Sequence, residues 1–241
     1  MRRLIAVLLI LVVFYVPLRA ATWTRVSGNS VETGGVAAST LSVNLTGVSA
    51  GNTIVACAGE ASQTADIDTI DLNSGAETLV LHTGISDSVD MLAMGYKLTT
   101  ALSGTVTVRV TFESAVTYGA LAAVAFSKTG TASDDGFYNA DASVSAAMQT
   151  NSINTSGTDV LALACGVTSV TISGESINSG SADGNEQPAG YFSLWWSALT
   201  APGVVSATAT LNTGTFWVAA IGALKTTAPP PTAISHRYRW K

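Results

Sequence analysis

Three aspartates crowd the segment Asp66-Ile-Asp-Thr-Ile-Asp71. Paired carboxyl groups can cleave glycosides with retention when they lie ~5–5.5 Å apart. Strand alternation would put Asp66 and Asp68 on one face, and a bulge would bring Asp71 to join them. The same oxygen density would suit a calcium ion, with Asp87 and Asp90 further along the chain, although no EF-hand loop is present. Gly47-Val-Ser-Ala-Gly51 matches G-x-S-x-G. A nucleophile elbow needs a strand before its serine and a helix after it. Here a strand is expected on both sides, and the only histidines are His82 and His236. Ser49 therefore reads as a turn residue.

Tyr191-Phe-Ser-Leu-Trp-Trp-Ser197 is rich in aromatic side chains. In a strand, Phe192, Leu194 and Trp196 would face the core. Tyr191 and Trp195 would share the other face, where exposed rings could stack on sugars. The alternative is that a loop or a partner covers that face. Cys57 and Cys165 lie in similar apolar segments, and their pairing would close a loop of about 100 residues, worth up to ~4–5 kcal/mol on the chain-entropy model. The competing reading is two small buried hydrophobes that never meet. No histidine accompanies them, so zinc is not indicated. Asn44-Leu-Thr46 and Asn154-Thr-Ser156 are N-glycosylation sequons, usable only in a host that glycosylates exported chains.

The elements that hold these groups are strands. Val106, Val108, Val110 and Phe112 alternate with Thr105, Thr107, Arg109 and Thr111. That is the pattern of a strand with one wet face. Leu41, Val43 and Leu45 alternate in the same way, as do Leu92 to Leu98 and Val205 to Leu211. Other segments are apolar on both faces: Ile54–Ala58, Val116–Phe126, Val160–Ala164 and Phe216–Leu224. These are expected in central strands covered on both sides. Turn signals recur at short intervals, as in sandwiches and barrels.

The order of elements repeats. Leu98-Thr-Thr-Ala-Leu-Ser-Gly104 leads to an alternating strand, a turn and an apolar strand ending at Lys128. Leu199-Thr-Ala-Pro-Gly203 leads through the same series to Lys225. Two such halves folded together fit one two-sheet, antiparallel, jelly-roll-like β-sandwich with an internal pseudo-repeat. Two tandem immunoglobulin-like domains are the alternative.

The ends differ in character. Arg2 and Arg3 precede the apolar run Leu4–Val16, which Pro17 breaks before Leu18-Arg19-Ala20-Ala21. This is the layout of a secretory signal helix over 1–20, with an uncleaved anchor as the alternative. The single sandwich domain is expected over 21–225. A Pro-rich linker and a basic, aromatic tail occupy 226–241. Between Ala21 and Lys225 lie five basic and all sixteen acidic residues, a net charge of −11. Such a body repels phosphate backbones, so nucleic acid is excluded as a partner.

The residues Gly51-Asn-Thr-Ile-Val-Ala56, Asp68-Thr-Ile-Asp-Leu-Asn-Ser-Gly75, Ser103-Gly-Thr-Val-Thr-Val-Arg-Val-Thr-Phe112 and Phe216-Trp-Val-Ala-Ala-Ile-Gly-Ala-Leu224 carry a resemblance. They are similar to jelly-roll or concanavalin-like sandwich domains of bacterial secreted and cell-surface proteins and of phage particles. Members of that group mostly have no assigned activity. The resemblance spans about Leu41 to Lys225, carries no catalytic residues and implies an extracellular structural or adhesive role; no cofactor is expected, calcium at the aspartates being the one candidate. The Asp66–Asp71 spacing also resembles the E-x-D-x-x-E strand of sandwich-fold glycosidases, with both outer glutamates replaced by aspartate. The expected function is therefore a non-enzymatic surface or virion protein capable of self-association. The alternatives are a carbohydrate-binding module and a glycosidase.

Overall fold

The computed structural model describes residues 23–61, 65–87 and 90–227. Their regular structure consists of strands, numbered β1 to β18 in chain order, and every pairing among them is antiparallel. One sheet runs in the order β1 (Thr24–Glu32), β9 (Gly119–Ser127), β3 (Thr53–Glu60), β7 (Asp90–Lys97) and β6 (Val80–Asp87). A second runs β2 (Ala38–Val48), β8 (Gly104–Val116), β4 (Ile67–Leu72) and β5 (Glu77–Thr78). A third runs β14 (Gly180–Ser181), β13 (Ile172–Ile177), β18 (Ala207–Thr227), β12 (Val160–Thr168), β16 (Phe192–Leu199) and β15 (Gly184–Ala189). β10 (Thr131–Gln149) pairs with β18 beside this path. β11 (Ile153–Thr155) and β17 (Gly203–Val205) form a separate pair.

The expected all-β, sandwich-like character is therefore present, but the described strands stack in more than the two layers expected. The reason lies in the segments that are apolar on both faces. β3, β9 and β12 are buried almost throughout, so each needs a layer above and a layer below. On β3, Ile54, Ala56 and Ala58 pack against Leu45, Val108 and Ile70 of the second sheet. Val55 and Cys57 point the other way and meet Leu163, Cys165 and Leu194 of the third.

The third sheet folds over on itself. Trp217–Lys225 of β18 pair with β12, whereas Ala207–Leu211 pair with β13. The turn of direction falls where Ser145 pairs with Thr215 and Ala147 with Thr210, leaving four unmatched residues on β18. Such a bulge bends a strand and lets it pass from one layer to the next. The late part of β18 then covers its own early part around Met148, Trp195, Leu211 and Ile221. The result is four layers, with two inner sheets face to face. The basic-apolar segment 1–20 and the tail 228–241 lie outside the described residues. Among those described, no helix is long and apolar enough to cross a membrane.

Candidate functional site

The candidate residues do not converge. Asp66 and Asp68 are exposed at the start of β4. A bulge does fall there, between Ile67 and Thr69. Asp71, however, is buried and already bound. Its Oδ2 accepts from Arg109 Nη2 at 2.7 Å and Nε at 3.2 Å, and its Oδ1 accepts from the Gly75 N–H at 3.1 Å. Asp71 thus serves as a brace between β4 and β8. Among the described residues, no group of three His, Cys, Asp or Glu side chains is placed to hold a metal ion. The side chains of Asp87 and Asp90 lie outside the described residues.

Ser49 sits in the tight turn between β2 and β3. Its N–H donates to Asn52 Oδ1 at 2.8 Å, and its carbonyl accepts from the Asn52 N–H at 3.0 Å. A strand follows, so the backbone lacks the helix N-terminus that a nucleophile elbow requires.

The aromatic stretch is corrected by its position. Phe192, Leu194 and Trp196 do line the core between the inner sheets. Trp195 lies on the opposite face, but its exposure is 0%, and its indole N–H donates to the Ser176 carbonyl at 3.3 Å. β16 is an inner strand, so both of its faces are covered. Tyr191 is half-buried, and its hydroxyl is tied to Glu32. Burial, that hydrogen bond and the charges of Glu32 and Tyr118 push its pKa well up. The pair therefore presents no open glycan platform.

Cys57 and Cys165 are disulfide-bonded, with Cα atoms 6.5 Å apart. Both are wholly buried between the two inner sheets. Asn44 and Asn154 are exposed on β2 and β11. The Asn44 side-chain oxygen accepts from the Thr107 hydroxyl at 2.8 Å.

Two polar clusters escaped the sequence reading. Asp135, 7% exposed, accepts from Lys225 Nζ at 2.8 Å, the Ser156 hydroxyl at 2.6 Å, and the N–H groups of Ser156 and Gly157 at 2.8 and 2.9 Å. Burial opposes its ionisation, but these donors outweigh it and hold the carboxyl below the usual range. Nearby Asp159 accepts from the Thr226 hydroxyl, yet burial wins there and raises its pKa. The second cluster is Lys128, which donates to the carbonyls of Gly51 and Leu98 at 2.8 and 3.0 Å. Sequence spacing carries no signal for either, because every partner is remote in the chain.

A shallow groove of about 520 Å³ runs along Asp141, Ser143, Ser145, Gln149 and Asn151, over Trp217. Most of its polar groups are engaged within the protein. Asp141 accepts from the Ala142 N–H, Asn151 donates to the Ala140 carbonyl, and Ser145 accepts from the Trp217 indole. Compared with known protein families and with curated proteins, the chain matches none.

Proposed function

We propose that this is an exported, non-enzymatic β-sandwich protein with a structural or adhesive role, a subunit of an assembly on a cell surface or virus particle. The observation that carries this reading is the buried Cys57–Cys165 disulfide. Such bonds persist in oxidising compartments and are rare in reducing ones. The Arg2-Arg3 start, the apolar run and Pro17 favour the same route out of the cytoplasm. We read 21–225 as a jelly-roll-like sandwich with an internal pseudo-repeat, in which β1-β9-β3-β7-β6 over β2-β8-β4-β5 forms the first half. We take 21–225 as one folding unit, because its two inner sheets share a core.

The test is location. An antibody raised against the folded chain is applied to fractions and thin sections of the source organism. Label at the cell surface or on particles, with gel mobility that changes on reduction, is the expected result. Label confined to the cytosol, on a chain with two free thiols, would overturn the reading.

A further inference from the structure

The two halves of the chain share one strand order. In the first, β1-β9-β3-β7-β6 lies against β2-β8-β4-β5. In the second, early β10, late β18, β12, β16 and β15 lie against late β10, early β18, β13 and β14. The match reaches single side chains. β4 and β13 both lead into Asn-Ser-Gly, with φ of 47° and 56° at Asn73 and Ser74, and 53° and 63° at Asn178 and Ser179. Two successive positive φ angles mark a type I′ turn. Each asparagine then grips one residue twice. The Asn73 N–H donates to the Thr107 carbonyl, and Asn73 Oδ1 accepts from the Thr107 N–H, both at 2.8 Å. Asn178 does the same with Ser206, at 3.0 and 3.1 Å.

The cysteines occupy the same rung. Cys57 lies between Met94 of β7 and Ala122 of β9. Cys165 lies between Leu194 of β16 and Ala220 of β18. For two antiparallel, face-to-face copies, contact between equivalent residues is what a twofold axis passing between them produces.

Counting outward from that rung, Arg25 opposite Phe126 corresponds to Asp134 opposite Leu224. Glu186 opposite Leu194 corresponds to His82 opposite Met94, and Trp196 corresponds to Tyr96. These residues meet in two matching corners. In one, Arg25 pairs with Glu186 and lies 5.9 Å from the Trp196 ring. In the other, Tyr96 donates to Asp134 at 2.8 Å, and His82 stacks on Tyr96 with centroids 5.8 Å apart.

We infer that the chain is a tethered twofold pair, in which the inner sheet of each half is a docking surface for the equivalent sheet of the other, and the two corners have diverged to favour unlike halves. Pairing two first halves would set Arg25 over His82 without its carboxylate. Pairing two second halves would bring Asp134 against Glu186, two like charges.

The twofold fixes a distance. Ser127 reaches Ala132 through residues 128–131, so the equivalent Lys225 must reach Trp23 through four residues, Thr226 and Thr227 being the first two. A circular permutant opened between Thr129 and Gly130, with Thr227 joined to Trp23 by two residues, is compared with one joined by about twelve. The short link is expected to give the Cys57–Cys165 disulfide and a melting temperature within about 5 °C of the long-linked form. Folding with the long link alone would overturn the inference.

In the full chain, Arg25→Asp is expected to lower the melting temperature by roughly 3–8 °C. Adding Glu186→His, the residue of the other corner, is expected to recover most of that loss. If neither permutant folds, a double variant no better than Arg25→Asp alone overturns the inference.

Discussion

Trp195 shows how burial decides the role of a side chain. Its face of β16 points away from the inner core, yet it meets Ile172, Trp217 and the rest of the outer core rather than solvent. Trp195→Ala is expected to cost about 3–5 kcal/mol in urea unfolding, as for other buried aromatic truncations. A cost below ~1 kcal/mol would place the ring outside the core. Tyr96 is a second case. Burial, then the Asp134 hydrogen bond and charge, raise its pKa from 10.0 to about 12. Between those values the folded chain keeps a proton that the unfolded chain gives up, so stability falls as pH rises through that window. Tyr191 is shifted in the same direction. Tyr96→Phe is therefore expected to flatten part of the alkaline slope of the melting temperature, and Tyr191→Phe a further part. An unchanged slope in Tyr96→Phe would refute the assignment. Asp135 works from the acid side. Its folded-state pKa is lowered, so its contribution is full above the usual carboxyl value and lost as pH falls below it. Asp135→Asn should lower stability at pH 7 and weaken the acid-side fall. An acid limb as steep as the parent's would count against this.

At the scale of elements, glycines set how closely strands approach. A Cβ on Gly222 would lie 2.6 Å from the Phe137 ring, which packs at 4.4 Å between centroids on Tyr96. Gly222→Ala is expected to cost about 1–3 kcal/mol by overpacking. A neutral effect in a thermal melt would mean that the ring moves aside freely. Much at this scale was legible in the sequence. Val106, Val108, Val110 and Phe112 are buried while Thr105 is exposed, and the doubly apolar segments are the inner strands. Two things were not legible. The run Val116–Phe126 hides a break at Thr117-Tyr118 between β8 and β9, whereas β18 passes the equivalent point unbroken. The matching of Lys128 to Lys225 also misplaces the repeat. Counted from the cysteines, Ser127 is the partner of Lys225, and a one-residue slip sends every side chain to the opposite face. Composition alone carries no register. That appears only through the rungs around Cys57 and Cys165.

For the whole molecule, the disulfide joins layers that come from opposite halves of the chain. Replacing both Cys57 and Cys165 with alanine is expected to cost about 2–5 kcal/mol in urea, with the loss reproduced by reduction of the parent. A midpoint unchanged by either treatment would show that the shared core alone holds the halves together. The candidate site was less legible than the fold. Alternation placed Trp195 on the right face, but four layers were needed to know that this face is covered. Asp71 could be recognised as a carboxylate but not as the partner of Arg109, which lies on another strand.

The position of the disulfide also sets how this protein responds to being pulled. Force applied between Trp23 and Thr227 travels through β1 to β3, crosses the sulfur bridge, and leaves through β12 to β18. The segment between the cysteines, separated by 108 positions, is bypassed and cannot lengthen the tether while the bridge is intact. Each liberated residue would otherwise add up to ~3.4 Å of slack. An oxidised chain thus releases only the residues outside the bridge, and a reduced one gains on the order of 350 Å of additional extension, roughly doubling its reach.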